Sequence, residues 1–236
     1  AWISIAPKIA VTWLGIRMIH FIPIDMSMYI AALAILTLLI GNLGALKQNN
    51  TKRLLAYSSI AHGGFMAMIW LSPAKEATEA LLFYGLTYGL STILVFFLAE
   101  NQSEHPLKSA DNLDAWKGLS KSQPIKSLFL FIGLVALIGL PPAGTFLAKI
   151  TYFSLLWDSI QAHSSIPTIT LLSVAILATA LSVFYYLKIP FYLYFKKSDA
   201  NQEIKIEKNM WIFGIIAAGI VLCFLAPNPI FNFWNL

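Results

Sequence analysis

Long apolar stretches alternate with short polar linkers along the whole chain. A helix needs about 20 apolar residues to cross the hydrocarbon layer of a membrane, and the apolar stretches match that length. Lipid offers backbone groups no hydrogen-bond partner, so the spans must be helices, and they are too uniformly apolar for barrel strands. The pattern predicts an all-α transmembrane bundle, a single domain over residues 1–236, with seven spans at Trp2–Ile22, Met28–Leu46, Leu54–Leu71, Ala80–Ala99, Ile125–Trp157, Ile166–Phe195 and Met210–Leu225.

The fifth span is too long for one straight helix. It contains the run Gly-Leu-Pro-Pro-Ala-Gly-Thr at residues 139–145. Proline cannot donate the backbone hydrogen bond that a helix interior requires, so we predict one broken helix there, marked by Pro141, Pro142 and Gly144. A break inside a membrane frees backbone polar groups, and it is tolerated only where protein or water satisfies them. The sequence therefore predicts a wet polar pocket at mid-depth, with Lys149 about 1.4 turns beyond it.

Composition agrees with a membrane protein. Hydrophobic residues make up 58% of the chain and charged residues 11%, and the mean hydropathy is +0.72, which excludes a water-soluble domain. The single cysteine, Cys223, cannot form an internal disulfide. Because the chain starts at Ala1 inside an apolar segment, without a basic leader, we expect it to be part of a longer protein.

The basic residues of the linkers predict orientation. If successive spans alternate in direction, the linkers after spans two, four and six share one side, and Lys75 is the only lysine or arginine in the opposite linkers and the C-terminus. Such a bias places the cation-rich side in the cytoplasm and the C-terminus outside, and it explains the basic charge without nucleic acid. We interpret Asn101–Gln123, with Leu107, Leu113, Trp116 and Leu119, as a segment lying on the membrane surface. The cation-rich linkers hold Lys47, Lys52, Arg53, Lys108, Lys117, Lys121, Lys126, Lys196, Lys197, Lys205 and Lys208.

Four further cations lie within the spans themselves. Arg17 and Lys188 are near span ends, where they can reach headgroups or settle in an interface. Lys8 and Lys149 lie deeper, where a charge costs at least about 2.5 to 3.5 kcal/mol, so they indicate an interior site or an ion path.

Polar side chains near these lysines support an interior site. Ser4, Lys8 and Thr12 share one helix face at four-residue spacing. We predict a hydrated line through the bundle in which His62 carries protons, although a structurally satisfied core histidine is the alternative. Serines and threonines elsewhere are interpreted as contacts between helices, as at Thr170, Ser173, Thr179 and Ser182. The remaining members of the line are Ser58, Ser59, Tyr84, Thr87, Tyr88, Ser91, Thr145 and Tyr152.

The acidic residues cannot neutralise the interior lysines. All eleven lie in linkers or at span ends, so we expect the counter-charge to come from another segment or a neighbouring subunit. They are Asp25, Glu76, Glu79, Glu100, Glu104, Asp111, Asp114, Asp158, Asp199, Glu203 and Glu207.

Three stretches resemble a known family, the antiporter-like membrane subunits of respiratory complex I. They are Ser-Ile-Ala-Pro-Lys-Ile-Ala at 4–10, Asn-Thr-Lys-Arg-Leu-Leu-Ala-Tyr-Ser-Ser-Ile-Ala-His-Gly-Gly at 50–64, and Gly-Leu-Pro-Pro-Ala-Gly-Thr-Phe-Leu-Ala-Lys at 139–149. Within that family, subunit N (subunit 2) is the most similar member, and the resemblance covers essentially the whole chain. It implies a fold of fourteen helices with two inverted five-helix repeats, of which this chain corresponds to helices eight to fourteen.

The resemblance also implies roles for particular residues. Lys8 matches the lysine of helix eight in the family's central axis, and Lys149 matches that of helix twelve. The axis glutamate of helix five and the lysine of helix seven have no counterpart here. The expected proton relay is thus Lys8, His62 and Lys149, supported by polar residues at Ser4, Thr12, Ser58, Ser59, Tyr88 and Thr145.

The function implied is proton translocation coupled to quinone reduction in NADH:quinone oxidoreductase, in a bacterial inner membrane, with a mitochondrial inner membrane as second choice. NADH, FMN, iron-sulfur clusters and quinone would be bound by other subunits, with no cofactor or metal in this chain. Expected partners are the other membrane subunits, including neighbouring antiporter-like ones, and the lipid bilayer, with no nucleic acid. Two alternatives remain: a subunit of a multi-subunit sodium/proton antiporter, and a passive structural anchor.

Overall fold

The computed structural model describes residues 2–18, 26–72, 74–100, 112–162, 165–197 and 210–227. Over these ranges the chain is helical and contains no strand, with a single isolated bridge between Asn50 and Asn112. The helices are α1 (Trp2–Met18), α2 (Ser27–Leu46), α3 (Thr51–Ala67), α4 (Ala74–Glu100), α5 (Leu119–Ser122), α6 (Pro124–Ile138), α7 (Gly144–Ala162), α8 (Ile166–Phe195) and α9 (Met210–Leu225), with 3-10 turns at Met68–Leu71 and Leu113–Trp116.

The all-α prediction is confirmed, and the count of spans is approximate. Within the described ranges, four segments are long and apolar enough to cross a membrane: Ser27–Leu46, Thr51–Leu71, Glu76–Ala99 and Ile166–Phe195. The helices α6 and α9 are apolar but shorter. The long fifth span is two helices, α6 and α7, on either side of the predicted break.

Several sequence predictions fall on residues outside the described ranges. They concern the end of the first span at 19–22, Leu107, the basic residues Lys108, Lys205 and Lys208, and the acidic residues Asp25, Glu104, Asp111, Asp199, Glu203 and Glu207.

The bundle is organised around two packing centres. Helix α4 contacts α1, α6, α7 and α9, while α2 packs against both α3 and α8. The approach of α2 to α3 is close, because a Cβ atom at Gly41 would lie 2.4 Å from the backbone nitrogen of Ala61. Gly44 similarly faces the ring of Tyr57. The absence of side chains at these two positions therefore sets the α2–α3 distance.

The linkers after α2 and α4 are bound together at one end of the bundle, which also holds the C-terminal end of α8. The Leu113 amide donates to the Asn49 carbonyl at 3.1 Å, and the Trp116 indole donates to the Thr51 hydroxyl at 2.9 Å. The Gly118 amide reaches the carbonyl of Tyr192 in α8 at 3.3 Å. The sequence expectation that these linkers share one side is thus met by the fold. We call this the cation-rich end.

The apolar residues of the linker before α6 were interpreted as lying on the membrane surface, and that interpretation is wrong in part. Leu113, Trp116 and Leu119 are buried in the protein core. They pack where the linker crosses the ends of α3 and α8. The linker is therefore a cap on the bundle.

Two of the four hydroxyl groups of α8 differ from expectation. Thr170 donates to the Ile166 carbonyl and Ser173 to the Ile169 carbonyl, and both side chains are exposed, so they do not join helices of this chain. Thr179 and Ser182 also donate to carbonyls of their own helix, which is an ordinary use of a helical hydroxyl. Ser182 is nonetheless buried among the helices.

Arg17 and Lys188, the two cations near span ends, lie in different surroundings. Arg17 is exposed, with its guanidinium 4.9 Å from the centre of the Trp13 ring. Lys188 settles in an interface, where its ammonium donates to the Leu46 and Gln48 carbonyls at the end of α2.

Candidate functional site

The broken helix is formed by a left-handed glycine. Gly139 has φ +81°, the Gly139 amide donates to the Ala136 carbonyl at 2.9 Å, and the Leu140 amide donates to the Val135 carbonyl at 3.2 Å, which closes the end of α6. This pattern is a Schellman motif, in which glycine tolerates a conformation that other residues resist. The peptide between Pro141 and Pro142 is cis.

The break is shorter than the predicted 139–145. Gly144 is the first residue of α7, and Thr145 follows it within the helix. Gly144 is constrained by space, because a Cβ atom there would lie 2.6 Å from Cys223 and 2.7 Å from Thr87. It thus allows α7 to start tightly against α4 and α9.

The polar groups freed by the break are used inside the bundle. The Thr145 hydroxyl donates to the Ala136 carbonyl, and the Lys149 ammonium donates to the Ile138 carbonyl at 2.7 Å. The last carbonyls of a helix have no intrahelical partner and carry a partial negative charge, so a cation is favoured there. Lys149 is only 3% exposed, and its ammonium lies 4.5 Å from the centre of the Phe65 ring.

Gly139 and Lys149 are also in direct contact. A Cβ atom at Gly139 would lie 2.9 Å from Cδ of Lys149 and 3.3 Å from its Nζ. The glycine therefore meets two requirements, a positive φ and room for the lysine side chain.

The second lysine has its own polar shell. The Lys8 ammonium donates to the carbonyl and the hydroxyl of Ser59, and to the Tyr88 hydroxyl at 3.3 Å. The Tyr88 hydroxyl in turn donates to the Ser4 carbonyl at 3.4 Å. Lys8 is half-buried, so part of its side chain faces out of this chain.

His62 lies between the two lysines and is 2% exposed. Its Nδ1 atom is 2.8 Å from the Tyr84 hydroxyl, and its Nε2 atom is 3.3 Å from the Tyr186 hydroxyl. Tyr186 also bonds to the Ser58 hydroxyl. The centre of the Tyr88 ring is 4.5 Å from that of the imidazole. The imidazole is also close enough to Lys8 and Lys149 for their charges to act on it.

A tyrosine pair connects this group to the α7 side. Tyr84 stacks on Tyr152 with ring centres 4.9 Å apart. Tyr152 lies one turn from Lys149, and its buried hydroxyl has no hydrogen-bond partner among the described residues. Such a hydroxyl is a natural position for a bound water. Lys8 and His62 therefore border one buried polar region, and the Tyr84–Tyr152 stack leads from it to the turn of α7 that holds Lys149.

Most of the predicted site residues come together in this region, and a few do not. Ser4 and Thr12 contribute their main-chain carbonyls, the latter accepting from the Trp70 indole at 3.0 Å. Pro141 and Pro142 lie on the exposed surface of the break. The residues that meet in the polar region are Lys8, Ser58, Ser59, His62, Tyr88, Thr145 and Lys149.

The sequence analysis missed the position of one residue and misread that of another. Tyr186 was not singled out, although an aromatic hydroxyl two residues before Lys188 in an apolar span was a usable signal. Lys126 was counted as a topology signal, but it is 2% exposed in the first turn of α6. Its burial follows from the packing of α6 against α4 and α8.

The charges of the site are uncompensated within the described part of the chain. There, no acidic side chain forms an ion pair with Lys8 or Lys149; the ion pair found joins Lys117 to Asp114 at 2.7 Å. The same residues contain no cluster of histidine, cysteine and acidic side chains suited to a metal.

Comparison with known proteins identifies the family to which the chain belongs. The family model described as NADH:quinone oxidoreductase/Mrp antiporter, transmembrane, matches residues 1–170. The chain belongs to this family. Subunit N 2 of NADH-quinone oxidoreductase from Solidesulfovibrio magneticus is 30% identical to this chain over 238 residues. The match covers 98% of this chain and 48% of the relative.

Solved structures agree with the family. A chain of respiratory complex I from Thermus thermophilus superposes with a TM-score of 0.71 at 30% identity, covering 86% of this chain and 44% of that one. A chain of the Mrp complex from Dietzia superposes with a TM-score of 0.69 at 18% identity, over 86% and 45% of the two chains, which shows a shared fold. This antiporter-family chain spans about half the length of the curated relatives it matches.

Proposed function

We propose that the chain forms part of a proton-translocating membrane subunit of NADH:quinone oxidoreductase, in which Lys8, His62 and Lys149 relay protons. It corresponds to helices eight to fourteen of a subunit N. Quinone reduction by NADH, with FMN and iron-sulfur clusters, belongs to other subunits, and this chain contributes the proton conduit. The relatives named as subunits of NADH-quinone oxidoreductase support this assignment.

The observation that carries the relay is the position of Lys149. Its ammonium is held by a carbonyl of the broken helix rather than by an acid, and His62 with its tyrosines lies between it and Lys8. A lysine can release a proton to a hydrogen-bonded neighbour and regain it, which an arginine cannot do under ordinary conditions. The hydroxyls and the imidazole are groups that both donate and accept, as a proton relay requires.

The surroundings of the site support a role within a larger assembly. Two interior cations are costly without an anion, so a carboxylate of a neighbouring subunit or segment is the expected partner. Non-helical backbone at membrane depth also requires protein or water around it. Leu140, Pro141 and Pro142 are exposed on this chain, so a neighbouring membrane subunit is expected to cover the break.

Orientation follows from the charges. Lys47, Lys52, Arg53, Lys121 and Lys196 belong to the cation-rich end, which we assign to the cytoplasm of a bacterium. The C-terminus then lies on the outer side of the bacterial inner membrane. A cysteine-accessibility assay at Lys121→Cys, with reagent added from either side, tests this assignment.

The test of function uses Lys149→Ala and Lys149→Arg in the complete complex, reconstituted in vesicles. Proton pumping and NADH:quinone turnover are measured together. Both variants should lose most of the pumping while the complex still assembles. Lys196→Ala, an exposed lysine at the cation-rich end, is the matched control and should pump normally.

A passive anchor predicts the opposite pattern. If Lys149 only fastens the helix break, arginine preserves the positive charge and the donors, so Lys149→Arg should pump normally. Normal pumping in both variants would remove the relay altogether.

A sodium/proton antiporter subunit is the second candidate, favoured by the fold shared with the Mrp complex chain. The two assignments differ in their partners. Copurification of the tagged full-length protein with NADH dehydrogenase subunits supports complex I, whereas copurification with small antiporter subunits supports the alternative.

A further inference from the structure

A polar seam runs from His62 toward the cation-rich end on the α8 side of α3, whereas Lys8 binds Ser59 of the same helix from α1. It lies between α2, α3 and α8 and contains Asn42, Ser58 and Tyr186, all of which are buried. The Tyr186 hydroxyl bonds to Ser58 and also lies 3.3 Å from Nε2 of His62. The seam therefore begins at the imidazole itself.

The seam is directed toward one end of the bundle. Ser58 precedes His62 by one turn on α3, whose first residue, Thr51, is at the cation-rich end. It is thus about 10 Å from that end along the helix, and His62 is about 16 Å away. Helix α8 runs in the opposite direction and reaches the same end after Tyr186.

Asn42 adds an unpartnered polar atom to the seam. Its amide nitrogen donates to the Leu38 carbonyl at 2.8 Å, but its Oδ1 atom is buried without a hydrogen-bond partner in the described structure. Gly41 contacts Ala61 and Gly44 contacts Tyr57, so this part of α2 packs on the segment of α3 that includes Ser58. A buried acceptor without a protein partner is costly, so a bound water is the expected occupant.

A second acceptor comes from the backbone of α8. Pro190 lies inside this helix and has no N–H, so the carbonyl of Tyr186 loses the donor four residues later. Tyr186 is fully buried, so this carbonyl is not solvated at the surface. Lys188, two residues later, binds the carbonyls of Leu46 and Gln48 near the outer end of the seam.

We propose that Tyr186 and Ser58 carry protons between His62 and the cation-rich end, as an uptake branch distinct from the axis lysines. Tyr186 gives its hydroxyl proton to Nε2 of His62 while its oxygen takes the proton of Ser58, and Ser58 takes one from a water that has been protonated at the cation-rich end. The Nδ1 proton of the imidazole passes to the Tyr84 oxygen, and the Tyr84 proton passes to a water beside Tyr152. One proton thus enters as a hydronium ion and one leaves as a hydronium ion, and each side chain between them exchanges one proton for another and keeps its charge. The branch rests on the relay proposed above.

The test uses Tyr186→Phe in the complete reconstituted complex. Phenylalanine keeps the ring and removes the hydroxyl, so proton pumping should fall by about three- to tenfold, the range that corresponds to one lost hydrogen bond. Tyr194→Phe is the matched control on the same helix, because Tyr194 is exposed and packs against Phe131. Pumping in the control should be unchanged.

A second pair of variants separates proton transfer from structural damage. Ser58→Ala removes the hydroxyl and should pump like Tyr186→Phe, whereas Ser58→Thr retains it and should restore pumping. Equal pumping by the two Ser58 variants overturns the branch, even if Tyr186→Phe fails to assemble.

The outcomes distinguish this branch from the relay. If Tyr186→Phe pumps normally while Lys149→Arg does not, the branch is wrong and the relay stands. If Lys149→Arg and Tyr186→Phe both pump normally, both proposals fall.

Discussion

The ammonium of Lys149 donates a 2.7 Å hydrogen bond to the carbonyl of Ile138, the residue at which the first half of the broken helix ends. The lysine and the break are therefore one unit. The break supplies the partial negative charge that a helix end carries, and the lysine supplies the donor that this end lacks. Any change in the geometry of the break should move the ammonium.

Gly139→Ala tests this coupling. Alanine in the left-handed region costs about 1 to 2 kcal/mol, and its Cβ atom would collide with the Lys149 side chain. We expect a lower thermal-unfolding midpoint of the purified complex and reduced proton pumping. Gly89→Ala is the control, because a Cβ atom there would meet only Ile5, at 3.6 Å. Equal pumping by the two variants would show that Lys149 is positioned independently of Gly139.

Thr145→Val tests the other donor at the break. Valine has nearly the same shape but cannot donate to the Ala136 carbonyl, so the variant should lose about 1 kcal/mol of stability. Unfolding of the detergent-solubilised complex measures the loss. Thr179→Val, whose hydroxyl bonds only within α8, should cost less. A larger cost at Thr179 would contradict the importance of the bond at the break.

The bond between Trp116 and Thr51 should stabilise the cation-rich end. A double-mutant cycle with Trp116→Phe and Thr51→Val isolates the 2.9 Å hydrogen bond between them. We expect a coupling free energy of about 0.5 to 1.5 kcal/mol. Additive effects of the two substitutions on unfolding would mean that the linker is held by burial of Trp116 alone.

Tyr84→Phe should impair the relay by removing the group that bonds Nδ1 of His62 at 2.8 Å. The imidazole then loses its hydroxyl partner at Nδ1, and this bond no longer fixes its tautomer. Proton pumping should fall several-fold with normal assembly. Tyr29→Phe, at an exposed tyrosine, is the control. Unimpaired pumping in Tyr84→Phe would exclude this hydroxyl from the proton path.

The helix break could be predicted because its causes are local. Two consecutive prolines cannot continue a helix, and Gly139 before them adopts the left-handed conformation that ends α6. Residues 139–142 therefore predict the break. The limits of the break were less certain. Gly144 resembles a breaker in sequence, yet it starts α7 because Thr87 and Cys223 leave no room for a side chain.

Other features depend on which helices meet, and single-chain periodicity does not contain that information. Lys126 has the appearance of a linker cation, but the packing of α6 buries it. Trp116 has the appearance of a lipid-facing residue until the linker folds onto Thr51. Tyr186 meets His62 only because α8 packs beside α3, which brings its hydroxyl to 3.3 Å from Nε2.

Helix α8 has 30 residues, which corresponds to about 45 Å of length. The hydrocarbon layer is about 30 Å thick, so a helix of this length must tilt strongly or extend beyond the lipid at one end. Carbonyls in its last turns accept hydrogen bonds from the Gly118 amide and the Ser120 hydroxyl, so α8 anchors the linker that caps the bundle. A change in the tilt of α8 would therefore move this linker and the Tyr186 hydroxyl together. Movement of the linker at the membrane surface would then alter the contact of Tyr186 with the buried His62.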